Sequence, residues 1–155
     1  TIDAAEWVGP YDDERLGFAK VAPYYYYPGW WEGASAIFLF INKDRWEALK
    51  PLDRAQITAA AHQANTLTIA KYDQVNPGAI RRLVAAGAQL RAFPPEVMEA
   101  CLKAANEVFA EISAQNPLFK RLHDHMTAFR NEQYLWQQIA EYSYETFMIR
   151  ARGRG

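Results

Sequence analysis

Carboxylates and aromatic side chains share two short blocks near the start of the chain, each bracketed by glycine and proline. The first is Glu6-Trp7-Val8-Gly9-Pro10-Tyr11-Asp12-Asp13, and the second is Tyr24-Tyr25-Tyr26-Tyr27-Pro28-Gly29-Trp30-Trp31-Glu32-Gly33. A carboxylate such as Glu6 or Glu32, set beside an aromatic wall in a turn, can ligate a hard cation through oxygen, and a neighbouring backbone carbonyl can add a second ligand. A cation held there would neutralise a small anionic ligand and share its oxygens. Rigid flat walls, special turns and a few placed polar groups are what a concave ligand site uses. An aromatic strand half-buried in an ordinary core draws on the same residue types.

Other constellations carry less chemistry. His123 and His125 are two apart and point in different directions on a helix, unlike the i, i+4 pair of a helical zinc site, and His62 is distant. Asp12, Asp13 and Glu14 make a negative helix start that complements the dipole without a ligand. Gly-rich phosphate loops and Gly-x-Ser-x-Gly elbows are absent. The single Cys101 falls on the apolar stripe of a predicted helix and reads as a buried, inert thiol. The 17 Lys and Arg nearly cancel the 18 Asp and Glu, so there is no basic footprint and nucleic acid is not an expected partner. The longest apolar run, from Ala36 to Ile41, is far below the ~18 residues of a membrane span.

The elements that must position the two blocks are mostly helical. Thr1 to Ala5 reads as the end of a strand delivering Glu6 and Trp7 to a loop, which Gly9-Pro10 closes. Asp12 or Asp13 is expected to cap a short helix reaching about Val21. Pro23 and Pro28 bracket an extended tyrosine run. Ser35 to Ile41 is predicted as a buried strand, followed by a helix from Lys43 to Leu49 capped by Asn42. From Asp53, Ile57, Ala61, Ala64, Thr68, Tyr72 and Val75 line one face of a long helix. Asn76-Pro77 predicts a new helix or a kink, ending at Gly87. Ala88 to Phe93 is a strand candidate. Val97, Cys101, Ala105, Val108 and Ile112 define a helix ending near Gln115; after Asn116-Pro117, a stripe from Leu118 to Phe147 runs roughly 45 Å without an internal Gly or Pro. Arg15, Arg45, Arg54, Arg81, Arg82, Arg91, Arg121 and Arg130 read as solvated.

The two blocks, together with Ile41-Asn42-Lys43-Asp44-Arg45-Trp46-Glu47-Ala48-Leu49 and the helical remainder, resemble the C-terminal half of the solute-binding proteins of tripartite ATP-independent periplasmic (TRAP) transporters. The resemblance is to the DctP-type subfamily binding 2-oxo acids or lactate, and runs from Thr1 to about Met148. Its most specific stretches are Asp3-Ala4-Ala5-Glu6-Trp7-Val8-Gly9-Pro10 and the Tyr-Tyr-Tyr-Tyr-Pro-Gly-Trp-Trp-Glu block.

The resemblance implies an α/β fold, the helix-rich C-terminal part of a two-lobed periplasmic-binding-protein-like architecture with a long C-terminal helix. Residues 1–22 would end the second lobe, 23–93 return to the first, and 94–155 span the lobes. It implies a periplasmic, non-enzymatic protein that captures a small carboxylate with a sodium or calcium ion and presents it to membrane subunits of the transporter. Trp7 would give its main-chain carbonyl and Glu32 its carboxylate to the ion, while Glu6, Trp7, Tyr11 and Trp31 would contact the substrate. An acid at Glu6 would favour a divalent ion. Family members are about twice as long; their carboxylate-clamping Arg and an ion-ligating Gln belong to an N-terminal half without counterpart here, so the chain alone is expected to bind poorly. A homodimer through the C-terminal helix is expected. The rival reading is a helical homo-oligomeric interaction module without ligand.

Overall fold

Four helices among the described residues open on a proline, the position where its missing N–H costs nothing. The computed structural model describes residues 3–30, 33, 35 and 37–154. They fall into two compact units, Thr1–Met98 and Glu99–Gly155.

In the first unit, α1 (Pro10–Leu16) begins directly at Gly9-Pro10, so this pair starts a helix and Asp12 and Asp13 lie inside its first turn. A 3-10 turn, Phe18–Lys20, follows. The tyrosine run is extended as expected, forming β1 (Tyr24–Tyr27), and the Tyr27–Pro28 peptide is cis. β1 pairs in parallel with β2 (Gln89–Ala92), Tyr25 opposite Leu90. Hydrogen bonds from Gln89 N to Pro23 O (2.7 Å) and from Phe93 N to Tyr27 O (2.8 Å) extend the ladder at both ends. Tyr26 and Phe93 stack with ring centroids 5.0 Å apart.

Between the strands run α2 (Lys43–Ala48) and α3 (Pro51–Ala85). Asn42 caps α2 as its sequence predicts, its side chain accepting from Arg45 N at 3.1 Å. The helix after Asp53 does not stop at Asn76-Pro77: α3 is continuous through it. Asn76 spends its side-chain oxygen elsewhere, accepting from Tyr11 N at 3.1 Å, and so caps α1, whose own N-cap Gly9 has no side chain to do so. Proline inside a helix costs about 3 kcal/mol. The turns around Pro77 recover contacts, since Tyr72, Asn76, Ala79 and Leu83 fall at 4-3-4 spacing on one face, with Ala79 and Leu83 buried. Gly87, at φ 103°, ends the run.

The strand expected over Ser35–Ile41 is not formed in its described residues. Ile37, Phe38, Leu39 and Phe40 are exposed, Phe40 to 87%. Strand propensity expresses itself only against a neighbouring strand, and no strand of the described residues pairs with this segment.

The second unit contains most of α4 (Pro95–Gln115), then α5 (Pro117–Gln137), a π-helical turn (Gln138–Tyr142) and α6 (Ser143–Ala151). Asn116 caps α5 by accepting from Phe119 N at 3.0 Å. His123 lies against Phe109 and Phe119, with centroids 5.0 and 5.8 Å away, so it packs as an aromatic between α4 and α5. Cys101 is half-buried instead of buried. The long final helix is realised as α5, π turn and α6 in succession. Ser143 Oγ donates to Ile139 O at 2.7 Å, bridging the π turn and the start of α6.

Asn76→Ala should cost about 1 kcal/mol of stability, the usual loss of a helix cap, read as a lower urea midpoint; an unchanged midpoint would show that the Tyr11 N–H finds another acceptor and the cap is dispensable.

Candidate functional site

Gly9 adopts φ 153°, ψ −176°, a conformation open essentially to glycine alone. Its carbonyl accepts the first helical bond, from Asp13 N at 3.0 Å. The segment carrying Glu6 and Trp7 therefore enters α1 through a turn only glycine permits. Residues 3–8 have no regular structure; Glu6 is exposed and Trp7 is 55% exposed. Tyr11 is half-buried, its ring edge-on to Tyr72 (6.3 Å, 82°), with the Arg15 guanidinium 5.3 Å and the Lys71 ammonium 5.7 Å from its centroid. The Tyr11 hydroxyl accepts from Arg15 at 2.7 Å. Trp31 and Glu32 lie outside the described residues.

The acidic triplet of α1 does more than complement a dipole. Successive helical residues are about 100° apart, and each of the three carboxylates meets a different partner. Asp12 accepts from the Tyr72 hydroxyl at 2.8 Å. Glu14 accepts a two-pronged bond from Arg82 at 2.6 and 2.8 Å, so Arg82, while still facing solvent, is also a tertiary partner. Asp13 accepts from the Tyr25 hydroxyl at 2.5 Å. The first two fasten α1 to α3, and the third ties block one to block two. Tyr72 was legible on the helical stripe of α3, but the roles of Tyr25, Asn76 and Arg82 were not, because their partners are 12 to 68 residues away in sequence.

Asp13 is the one buried charged residue among those described, at 6% exposure. One oxygen is held by Tyr25; the other, Oδ1, is buried without a hydrogen-bond partner among the described residues. Burial raises its pKa above the ordinary carboxylate value; the Tyr25 hydrogen bond opposes this, and the charges of Asp12 and Glu6 add to it. Burial and the bond to Asp13 push the Tyr25 hydroxyl far upward, so it remains a proton donor throughout the physiological range. The Arg82 hydrogen bond lowers Glu14. No group of three or more metal-ligating side chains occurs among the described residues, so a cation here would depend on backbone carbonyls, the ligand's own oxygens and residues beyond those described. A shallow hollow of about 290 Å³ lies beside the α1 start, lined by Pro10, Tyr72, Asp73, Asn76, Pro77 and Ile80.

Comparison with known proteins identifies the arrangement. Residues 1–116 match DctP, the bacterial extracellular solute-binding proteins of family 7. The chain belongs to this family. It is a family of solute-binding proteins and not of enzymes. A monocarboxylate 2-oxoacid-binding periplasmic protein of Nostoc sp. is 39% identical over 146 residues, covering 94% of this chain and 40% of the relative. A TRAP transporter solute-binding protein of Bordetella bronchiseptica is 44% identical with a TM-score of 0.95, over 99% of this chain and 46% of the other. Its crystals contain a mixed-occupancy dimer with copurified calcium and picolinate in one active site and an apo site. A TRAP periplasmic solute-binding protein of Pseudoalteromonas atlantica, with bound sodium and pyruvate, is 29% identical with a TM-score of 0.88, over 94% of this chain and 44% of the other. The chain thus spans less than half the length of each of these relatives, and its helix-rich architecture with a small parallel sheet is a part of their fold.

The two neighbouring carboxylates of α1 should respond to pH with opposite signs. Asp13, raised in the fold, binds protons more tightly folded than unfolded, so its contribution to stability falls as pH rises from the ordinary carboxylate range through its raised value. Glu14, lowered in the fold, contributes above its unfolded value and loses that contribution as pH falls through its depressed one. Melting temperatures recorded against pH should show a flatter profile for Asp13→Asn on the first limb and a lower plateau at neutral pH for Glu14→Gln. Parallel profiles for wild type and both variants would remove the assignment.

Proposed function

We propose that this chain is part of the substrate-binding component of a TRAP-type transporter, which captures a small monocarboxylate together with a cation in the periplasm and delivers it to membrane permease subunits. The observation that carries the reading is 44% identity across 99% of the chain with a protein holding calcium and picolinate. Picolinate and pyruvate, the latter bound with sodium in the second relative, share one chemical feature: a donor atom on the carbon next to the carboxylate. A carboxylate oxygen and that donor can chelate one ion, and 2-oxo acids and lactate have the same pattern.

On this reading Trp7 offers its main-chain carbonyl and Glu32 its carboxylate to the ion, and Glu6, Trp7, Tyr11 and Trp31 border the substrate. Residues 1–22 close the second lobe, 23–93 return to the first and 94–155 span both. The exposed position of Trp7 and Glu6 on an irregular segment suits groups that meet a ligand, and Glu6 and Asp12 put carboxylates at this end of α1, with the cations Arg15 and Lys71 beside Tyr11.

The apolar stripe of the final helices supports association with a second copy. Leu118, Leu122, Met126, Phe129, Trp136 and Phe147 are all exposed, Phe129 to 61%. A homodimer through this helix would cover them, and the Bordetella relative crystallises as a dimer.

In a full-length protein carrying this sequence, calorimetry should show that Glu32→Ala weakens calcium and pyruvate binding together, because ion and substrate share a site and are thermodynamically linked. Unchanged affinity for both would refute the ion site, and no binding of any 2-oxo acid by the wild type would favour the rival reading of a helical interaction module. Light scattering at micromolar concentration should give twice the chain mass for the wild type and a monomer for Phe129→Asp; a monomeric wild type would end the dimer proposal.

A further inference from the structure

The buried Asp13 carboxylate has no structural necessity as an anchor of α1. Its neighbours Asp12 and Glu14 already fasten that helix to α3 through Tyr72 and Arg82, and Asn76 caps it. Nor does β1 need Asp13 to be a strand, since it is hydrogen-bonded to β2 along its length. Yet a carboxylate is kept here at 6% exposure, with one oxygen unpartnered among the described residues, an arrangement that carries a desolvation penalty. What Asp13 does that no neighbour does is connect the two aromatic-acidic blocks. Block one runs from Glu6 through Gly9 into α1 and ends at Asp13. Block two starts at β1, where Tyr25 donates to Asp13 Oδ2 at 2.5 Å, and reaches Trp30 three residues after the strand ends.

We propose that the Asp13–Tyr25 hydrogen bond is a positioning strut, which sets the separation between the segment bearing Glu6 and Trp7 and the segment that follows β1, and thereby the geometry in which ion and substrate are held. Neither residue touches the ligand. The inference rests on the proposed ion site, which needs groups from both blocks at one place. A tyrosine hydroxyl makes a good strut because its rigid ring allows little play, and its proton stays in place because burial and the carboxylate both hold it there. Groups hydrogen-bonded directly to ligating residues typically change metal affinity about 10- to 100-fold when removed, and a strut that acts one step further from the ligands belongs at the low end of that range.

The experiment is calorimetric titration of calcium chloride, with and without pyruvate, into the full-length protein. Tyr25→Phe and Asp13→Ala should each raise the dissociation constant for calcium by about 10-fold. Asp13→Asn, which keeps an oxygen acceptor for the Tyr25 hydroxyl, should restore it to within about threefold of wild type, a rescue that general destabilisation would not produce. Tyr24→Phe, one residue along the strand with its ring under Arg91, should bind as wild type does. Should Asp13→Ala fail to fold, Tyr25→Phe removes a single oxygen atom and still decides the matter. Loss of binding in Glu32→Ala alongside wild-type affinity in Tyr25→Phe overturns the strut and leaves the ion site standing. Wild-type affinity in Glu32→Ala overturns the ion site, and the strut falls with it.

Discussion

A carboxylate out of reach of water constrains everything around it, and in the first unit that carboxylate is Asp13. Ionised burial is costly without compensating bonds, so α1 can carry Asp13 inward only if its approach to β1 and α3 is fixed. Three devices fix it. Gly9 supplies a backbone turn that other residues would resist, Pro10 starts the helix at once, and Asn76 takes up the Tyr11 N–H that the glycine cap leaves open. The acidic triplet then divides its work around the helix, with Tyr72 and Arg82 on the α3 side and Tyr25 on the strand side. Once these are in place, the irregular segment carrying Glu6 and Trp7 has a defined root.

The same arrangement explains why α3 tolerates Pro77. A proline in a helix interior frees the carbonyl four residues earlier and strains the backbone, and the sequence Asn76-Pro77 elsewhere in a chain would begin a new helix, as Asn116-Pro117 does here. The two pairs differ in what surrounds them. Asn116 has Phe119 N of its own helix to cap, whereas Asn76 meets Tyr11 N from another element. The tertiary contact overrides the local signal, with Ala79 and Leu83 buried in the next turns.

What could be read in advance follows the range of the interaction. Caps at Asn42 and Asn116 and the stop at Gly87 depend on a few consecutive residues and were legible; the extended tyrosines and the strand after Ala88 were legible as segments, though not their pairing with each other. The strand expected over Ser35–Ile41 failed because its residue types describe a fit to neighbours that the described residues do not contain. In the candidate site, the two blocks stood out by composition, but the bond joining them did not: nothing in the spacing of Asp13 and Tyr25 announces a contact across a helix and a strand. Arg82 escapes a reading by sequence for the same reason, since an arginine on a helix face looks solvated until a carboxylate 68 residues away is brought to it.

Polar ties of this kind specify geometry better than they supply stability. A solvent-facing ion pair such as Arg82 and Glu14 contributes little to stability, while burying one large apolar side chain contributes about 1.5–3 kcal/mol. Among the described residues only Ala79, Leu83 and Ala88 are buried apolar positions, and none is large and aromatic. Scattered exposed hydrophobics are normal on a protein surface, but Ile37 to Phe40 in the first unit form a continuous run, and Leu118, Leu122, Met126, Phe129, Trp136 and Phe147 in the second recur along one stretch of helix. Surfaces of that kind are stable when other polypeptide covers them. Relatives that fold the same elements into chains more than twice as long have that polypeptide to hand. The hydrogen bonds of α1 would then decide where the segment carrying Glu6 and Trp7 sits, and apolar burial against further polypeptide would decide whether that segment has a stable body to sit on.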